Sequence, residues 1–198
     1  MGNPGLQALS FVLGTLLDLY ALVVAIRVVM QAVGASGFSP IAQFVIKVTD
    51  PLLQPIRKLV PNVKGINLAA LLLCFLVLLI KALFFKVLHQ SEWLANAQIP
   101  VYALAIPGLL VYSFVSLINL FFNIFIYSII IMALLSWISP DPNNPVIEIL
   151  HALTSPILRR VRRYIPPMGG LDLSSLAAII GLYALKIIVV GTLVSILF

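Results

Sequence analysis

The sequence has little charge for its length. Its 198 residues include 12 Lys and Arg and 6 Asp and Glu, so only 9% are charged, whereas 62% are hydrophobic. A soluble domain of ordinary composition carries about 25% charged residues. So few polar side chains do not cover a water-exposed surface, which excludes a soluble globular protein. Long apolar runs instead predict an integral membrane protein.

Cysteine and histidine are also scarce. Cys74 is the single cysteine, which excludes an intramolecular disulfide and a C-x-x-C metal or redox site. His89 and His151 lack the spacing of paired metal ligands. Asp141 and Glu148 flank a proline turn without an evident nucleophile. We therefore predict no enzymatic activity, no catalytic residues, no metal site and no cofactor.

One block of sequence occurs twice. Residues 49–61 (TDPLLQPIRKLVP) return as residues 154–166 (TSPILRRVRRYIP), and each position lies 105 residues after its counterpart, as 156 − 51 shows. The same offset links four further pairs: Pro40 with Pro145, Gly65 with Gly170, Asn67 with Asp172 and Lys81 with Lys186. A register kept without a gap over this distance indicates an internal duplication.

Apolar stretches flank each copy of the block. About 20 helical residues cross a hydrocarbon core of roughly 30 Å, and we predict spans at residues 6–33, 68–88, 119–137 and 173–198. Asn67 and Asp172 are the predicted caps of the second and last spans. Small residues of the last span are suited to close helix packing: Ala177, Gly181 and Ala184.

Residues 101–138 are too long for one ordinary span and are interrupted by Pro107-Gly108. Two crossings would invert the repeats and place their basic blocks on opposite sides of the membrane. The positive-inside rule disfavours that arrangement. We therefore interpret residues 6–88 and 119–198 as parallel repeats. Residues 89–118 form a connector that begins with a polar hairpin and continues as an apolar interfacial or kinked segment.

Each repeat contains an amphipathic arm between its two spans. Apolar residues recur at three-and-four spacing on one side, and polar and basic residues occupy the other. Pro51 and Pro156 predict that each arm is split into two short helices. The pattern favours arms lying in the cytoplasmic membrane interface, although a solvated loop packed on the spans is the alternative. The basic residues expected to contact anionic lipid or a partner are Arg27, Arg57, Lys58, Arg159, Arg160, Arg162 and Arg163.

Charged residues inside the spans are costly, at about 2.5–3.5 kcal/mol each on insertion scales. Asp18 lies fifteen residues before Val33, and Lys81 lies fifteen residues after Ile66, where the chain turns into the second span. Each distance is roughly 22 Å of helix from the cytoplasmic side. We predict that Asp18 and Lys81 form an ion pair. Their counterparts, Asn123 and Lys186, form a neutral-amide pair and leave one excess positive charge. This network has two interpretations: an ion or substrate path, or a structural pair with Lys186 reaching the outer interface.

The duplicated block resembles the YggT (YlmG) family of small membrane proteins, as do Ser136-Trp137 and residues 169–174 (GGLDLS). The second copy departs from the family pattern, because Arg160 stands where proline is expected and Ser155 replaces Asp. The resemblance implies a bacterial inner-membrane protein linked to osmotic-shock tolerance and potassium uptake, and in some members to division. Plastid relatives are linked to nucleoid distribution and cytochrome haem attachment. It implies no catalytic residues.

The expected fold is therefore an all-α, multi-pass protein of the bacterial inner membrane. Each of its two tandem repeats consists of a transmembrane helix, an interfacial amphipathic helix pair and a second transmembrane helix. The expected function is a scaffold or interaction protein with basic cytoplasmic arms. An oligomeric ion channel or transporter component is the alternative. Expected partners are anionic lipid headgroups, a second copy of the chain and a membrane or division protein, with no direct contact to nucleic acid.

Overall fold

The computed structural model describes residues 4–34, 39–58, 60, 67–89, 91–94, 97–138, 144–165 and 172–197. These residues form six α-helices and one antiparallel β-hairpin. In chain order, the elements are α1 (Pro4–Ala32), α2 (Pro40–Arg57), α3 (Leu68–Val87), β1 (Glu92–Leu94), β2 (Ala97–Ile99), a 3₁₀ turn (Val101–Ala103), α4 (Ile106–Ile138), α5 (Pro145–Val161) and α6 (Leu173–Leu197).

Four helices, α1, α3, α4 and α6, are long and apolar enough to cross a membrane. The predicted caps are present, since the side chain of Asn67 accepts a hydrogen bond from the Ala70 amide at 2.9 Å and that of Asp172 from the Ser174 amide at 3.1 Å. The architecture confirms a polytopic, nearly all-helical protein. The predicted turns at residues 65–66 and 169–170 lie outside the described residues.

The third span is one continuous helix. α4 runs for 33 residues from Ile106, so the structure agrees with a single crossing. The prediction of a separate kinked or interfacial segment before this span was wrong, because residues 106–118 belong to α4 itself. Pro107 does not break the helix, because it lies in the first turn, where the backbone N–H has no intrahelical partner.

The predicted splitting of each arm was also wrong. α2 continues through Pro51 and Pro55, and α5 continues through Pro156. A proline inside a helix leaves a backbone carbonyl without its usual donor, and neighbouring groups compensate for this where the helix packs against others. The carbonyl that Pro51 leaves without a backbone donor is that of Lys47. Side-chain donors reach the two carbonyls directly before it: the Thr49 hydroxyl donates to the Val45 carbonyl at 2.7 Å, and a guanidinium from α1 donates to the Ile46 carbonyl at 3.3 Å.

The two repeats pack as parallel units. α1 lies along α3, α4 lies along α6, and α3 contacts α4 between them. The arm helices α2 and α5 contact each other, so both lie at the same end of the bundle, here called the arm end. The hairpin follows the other end of α3, here called the hairpin end. The buried faces of the arms centre on Leu53 and Leu153 and pack on the spans, whereas Phe44 and Leu52 are exposed.

Two of the three residues in the small-residue stripe of α6 do not pack against another helix among the described residues. Gly181 and Ala184 are exposed, and a Cβ built on Gly181 meets no described atom within 4 Å. The sequence correctly places small residues on one face. Only the packing of α6 against α4 and α5 through its other side decides that this face points outward.

Candidate functional site

Arg27 is buried between α1 and α2. Its side chain is 4% exposed and forms an ion pair with Asp50 at 2.7 Å. It also hydrogen-bonds to the Thr49 hydroxyl and to the Ile46 carbonyl. The expectation that Arg27 contacts lipid or a partner was therefore wrong: Asp50 and the proline-containing turn of α2 attract the guanidinium into the protein, where it joins the arm to the first span.

Lys81 and Asp18 form the predicted ion pair. The Lys81 ammonium lies 2.7 Å from both carboxylate oxygens of Asp18. The side chain of Lys81 is 8% exposed and that of Asp18 is 53% exposed. The Phe85 ring lies 5.4 Å from the ammonium, measured to its centroid, a position that favours a cation–π interaction. The equal depth of the two charges in their helices was sufficient to predict this contact.

Glu92 provides a second carboxylate that contacts Lys81. The sequence analysis did not predict this contact. The hairpin turns back over the end of α3, where Glu92 contacts the Lys81 ammonium and accepts a hydrogen bond from the Tyr112 hydroxyl at 2.5 Å. The only sequence signal was an acidic residue in the first polar segment after the span. Glu92 also corrects the predicted charge balance, because two carboxylates and the two lysines Lys81 and Lys186 have no net charge.

The second repeat keeps a weaker form of the pair. Lys186 donates a hydrogen bond to the Asn123 amide oxygen at 2.8 Å, as predicted from the offset. Its ammonium lies 5.8 Å from the centroid of the Tyr183 ring. Lys186 is less buried than Lys81, and it bonds to a neutral amide. The electrostatic attraction between Lys186 and Asn123 is therefore weaker than the attraction between Lys81 and Asp18 in the first repeat.

A cavity of about 630 Å³ lies between α1 and α4 and extends from the arms to the hairpin. Asp18, Lys81 and Glu92 line its wall near the hairpin end, and Asn123 joins the second pair to the same wall. Asn119 also lines the cavity, and its buried amide oxygen has no hydrogen-bond partner among the described residues. The cavity therefore combines apolar walls with charged groups and an amide oxygen that is available to a water or a polar ligand.

The basic residues of the arms are exposed at the arm end. The exposed set consists of Lys47, Arg57, Lys58, Arg159, Arg160, Arg162 and Arg163. Arg57 lies 4.0 Å from Asp50, and Arg162 lies 2.7 Å from Asp172. Both of these arginine side chains remain more than a third exposed. Because α2 and α5 contact each other, the structure places both basic blocks at the same end of the bundle.

Asp172 organises the contact between α5 and α6. Partial burial alone would raise the pKa of its carboxyl group, but hydrogen bonds from Ser174, Arg162 and Ser175 outweigh that effect and lower the pKa from 3.8 to about 2. The Ser175 hydroxyl donates at 2.9 Å and the Arg162 guanidinium at 2.7 Å. Within the described ranges, no three His, Cys, Asp or Glu side chains are grouped to hold a metal ion.

Comparison with known proteins agrees with the duplicated architecture. A family model described as CCB3/YggT matches residues 6–88 and again residues 111–193. The uncharacterized protein PA0392 of Pseudomonas aeruginosa is 32% identical over 95% of this chain and 91% of its own length. An uncharacterized protein encoded in the proC 3′ region of Vibrio alginolyticus is 35% identical, with coverages of 89% and 90%. The uncharacterized protein YggT of Escherichia coli K12 is 32% identical, with coverages of 91% and 88%. No solved structure matches the chain.

Proposed function

The chain belongs to the CCB3/YggT family, and we propose that this multi-pass membrane protein is a scaffold or interaction protein of the bacterial inner membrane. Its two basic arms bind anionic lipid headgroups on the cytoplasmic side. One observation carries this proposal: α2 and α5 contact each other at one end of the four-span bundle, with their basic residues exposed.

The energetics support attachment of the arms to an anionic surface. A basic residue near such a surface contributes about 1 kcal/mol, and the effect decreases with distance over a Debye length. The exposed Phe44 and Leu52 of α2 add apolar area at the same end of the bundle, and apolar area strengthens interfacial binding. The proposed orientation follows the positive-inside rule, because the arm end carries the two basic blocks.

Lipid selectivity in nanodiscs tests the proposal. The protein is reconstituted in phosphatidylcholine with a trace of spin-labelled phosphatidylglycerol or phosphatidylcholine, and the bound fraction of each label is measured. Replacement of Arg159, Arg160, Arg162 and Arg163 by glutamine should remove most of the preference for phosphatidylglycerol. Replacement of the same four residues by lysine is the matched control and should keep it. An unchanged preference in the glutamine variant would refute the proposal.

Partners beyond lipid remain part of the proposal. A second copy of the chain and a membrane or division protein are the two classes expected from the family resemblance. Chemical cross-linking of single-cysteine variants along the exposed face of α6 distinguishes a homo-oligomer from a monomer in native membranes.

An ion pathway is the second candidate function, and the cavity between α1 and α4 favours it. Glu92 removes the excess positive charge that would have repelled a cation such as potassium. Cation flux into proteoliposomes is the test, with Asp18→Asn and Lys186→Ala as variants. The second candidate requires flux above that of empty vesicles and a change in flux in at least one variant.

A further inference from the structure

The two repeats differ at one buried position that joins the arm to the span. In the first repeat, the Arg27 guanidinium fills the space between α1 and α2 and pairs with Asp50. At the offset of 105 (132 − 27), the second repeat has Met132, and Ser155 replaces the aspartate. Thr49 is retained as Thr154, whose hydroxyl donates to the Leu150 carbonyl at 2.8 Å. The second repeat thus keeps the threonine of this site but has neither the buried arginine nor the aspartate that pairs with it.

A pocket of about 140 Å³ lies at this place in the second repeat, between α4, α5 and α6. A water molecule occupies about 30 Å³ in the liquid, so the pocket has room for a phosphate-sized group but not for a whole lipid. Met132 forms part of its wall, and Arg159 and Arg162 bring two guanidinium groups to it. The hydroxyl-bearing residues of the wall are Thr154, Ser155 and Ser175.

The charge of this pocket is positive. Asp172 is the single carboxylate among its lining residues, and it is engaged by Arg162 and by two serine hydroxyls. Arg159 donates through Nε to the Ser155 carbonyl at 3.3 Å, which holds its stem along α5 beside the pocket. The two terminal nitrogens of that guanidinium have no hydrogen-bond or ion-pair partner among the described residues. Planar guanidinium donors of this kind match phosphate oxygens.

We propose that the pocket binds one phosphate group, and that Arg159 and Arg162 are its main donors. This inference rests on the proposed lipid-binding function, because it names the chemistry and the place of one specific contact within the basic surface. A glycerophospholipid headgroup at the membrane interface and a soluble phosphate ester offer the same group. Basic pockets between transmembrane helices on the cytoplasmic side are suited to anionic headgroups.

The first repeat supplies the variant that tests the proposal. Met132→Arg together with Ser155→Asp copies the Arg27–Asp50 pair into the second repeat. The copied pair fills the pocket from within, and the net charge of the protein stays the same. Met132→Leu is the matched control, since it keeps an apolar side chain at this position. Arg159→Gln is a second, exposed variant that removes a donor without burying a new group.

Binding is measured in two arms, with phosphatidylglycerol added to protein in zwitterionic nanodiscs and with glycerol 3-phosphate added to protein in detergent. Native mass spectrometry counts the bound lipid, and calorimetry measures the soluble ester. We expect one saturable equivalent in wild type and in Met132→Leu, weakened about tenfold or more in both the double variant and Arg159→Gln. Binding in the lipid arm alone identifies a headgroup as the source, and binding of the ester identifies a soluble phosphate.

Two outcomes overturn the proposal: no saturable equivalent of either probe, or equal affinity in wild type and the double variant. The result is distinguishable from failure of the proposed function. The charge-neutral double variant should keep the general preference for anionic lipid, which the four-glutamine variant loses. If wild type shows no general preference for anionic lipid but still binds one saturable equivalent, the proposed lipid-binding function is rejected and the phosphate site is retained.

Discussion

Replacing Lys81 by methionine should be the most destabilising single change in the Asp18–Lys81 and Asn123–Lys186 pairs. The substitution leaves Asp18 and Glu92 without the ammonium that both contact. Removing one partner of a buried ion pair costs about 3–5 kcal/mol, because the remaining charge is uncompensated. The side chain of Asp18 is 53% exposed, which reduces the penalty. We therefore expect a loss of about 3 kcal/mol, the lower end of that range.

The two repeats provide internal controls for this prediction. Asp18→Asn makes the first pair chemically similar to Asn123–Lys186, and Glu92 still balances Lys81. Its expected cost is about 1 kcal/mol, typical of one hydrogen-bonding partner weakened rather than lost. Lys186→Met should also cost about 1 kcal/mol, because its lost partner is a neutral amide that is not fully buried. The double variant Lys81→Met with Asp18→Asn should recover part of the Lys81→Met loss.

Reversible unfolding in mixed micelles, followed by circular dichroism as the fraction of denaturing detergent rises, measures these differences. The decisive quantity is the order of the three single variants, since it does not depend on the absolute scale. An Asp18→Asn loss equal to or larger than the Lys81→Met loss would refute the reasoning. It would mean that Glu92 does not share the lysine.

Three further predictions concern packing, pH and topology. Gly14→Ala should be less favourable than Gly181→Ala by about 1–3 kcal/mol. The Cβ at residue 14 would lie 2.9 Å from Cζ of Phe85, whereas the Cβ at residue 181 meets no described atom within 4 Å; thermal unfolding compares the two. Because the folded-state pKa of Asp172 is lowered to about 2, its stabilising contribution should be complete above about pH 4 and lost as pH falls towards 2. The stability difference between wild type and Asp172→Asn, measured across that range, should shrink as Arg162 loses its partner. Single cysteines at exposed positions of α2 and α5, in a cysteine-free background, should react with an impermeant reagent from the same side of the membrane; labelling from opposite sides would contradict parallel repeats.

The functional residues were predictable to different degrees. The Asp18–Lys81 and Asn123–Lys186 contacts followed from helix rise and a constant offset, both of which are local properties. Glu92 was not predictable in the same way, because its contact depends on how a short hairpin turns back over the end of α3. The sequence predicts a lipid or partner contact for Arg27, since a basic residue near a helix end usually extends to the surface. Its burial depends on Asp50 and on the α2 backbone, and these approach it only after the arm has packed.

The sequence by itself determined the membrane class, the four spans, the duplication and the two amphipathic arms. These features depend on the transfer free energy of apolar runs and on spacing along one chain. The tertiary structure alone decided that the arms continue through their prolines, that Glu92 completes the charge balance and that a pocket replaces Arg27 in the second repeat. Each of these depends on groups from different helices meeting in space, where a backbone carbonyl, a carboxylate or a void acquires its neighbours. The offset of 105 indicated which residues correspond, and only packing determined what each of them contacts.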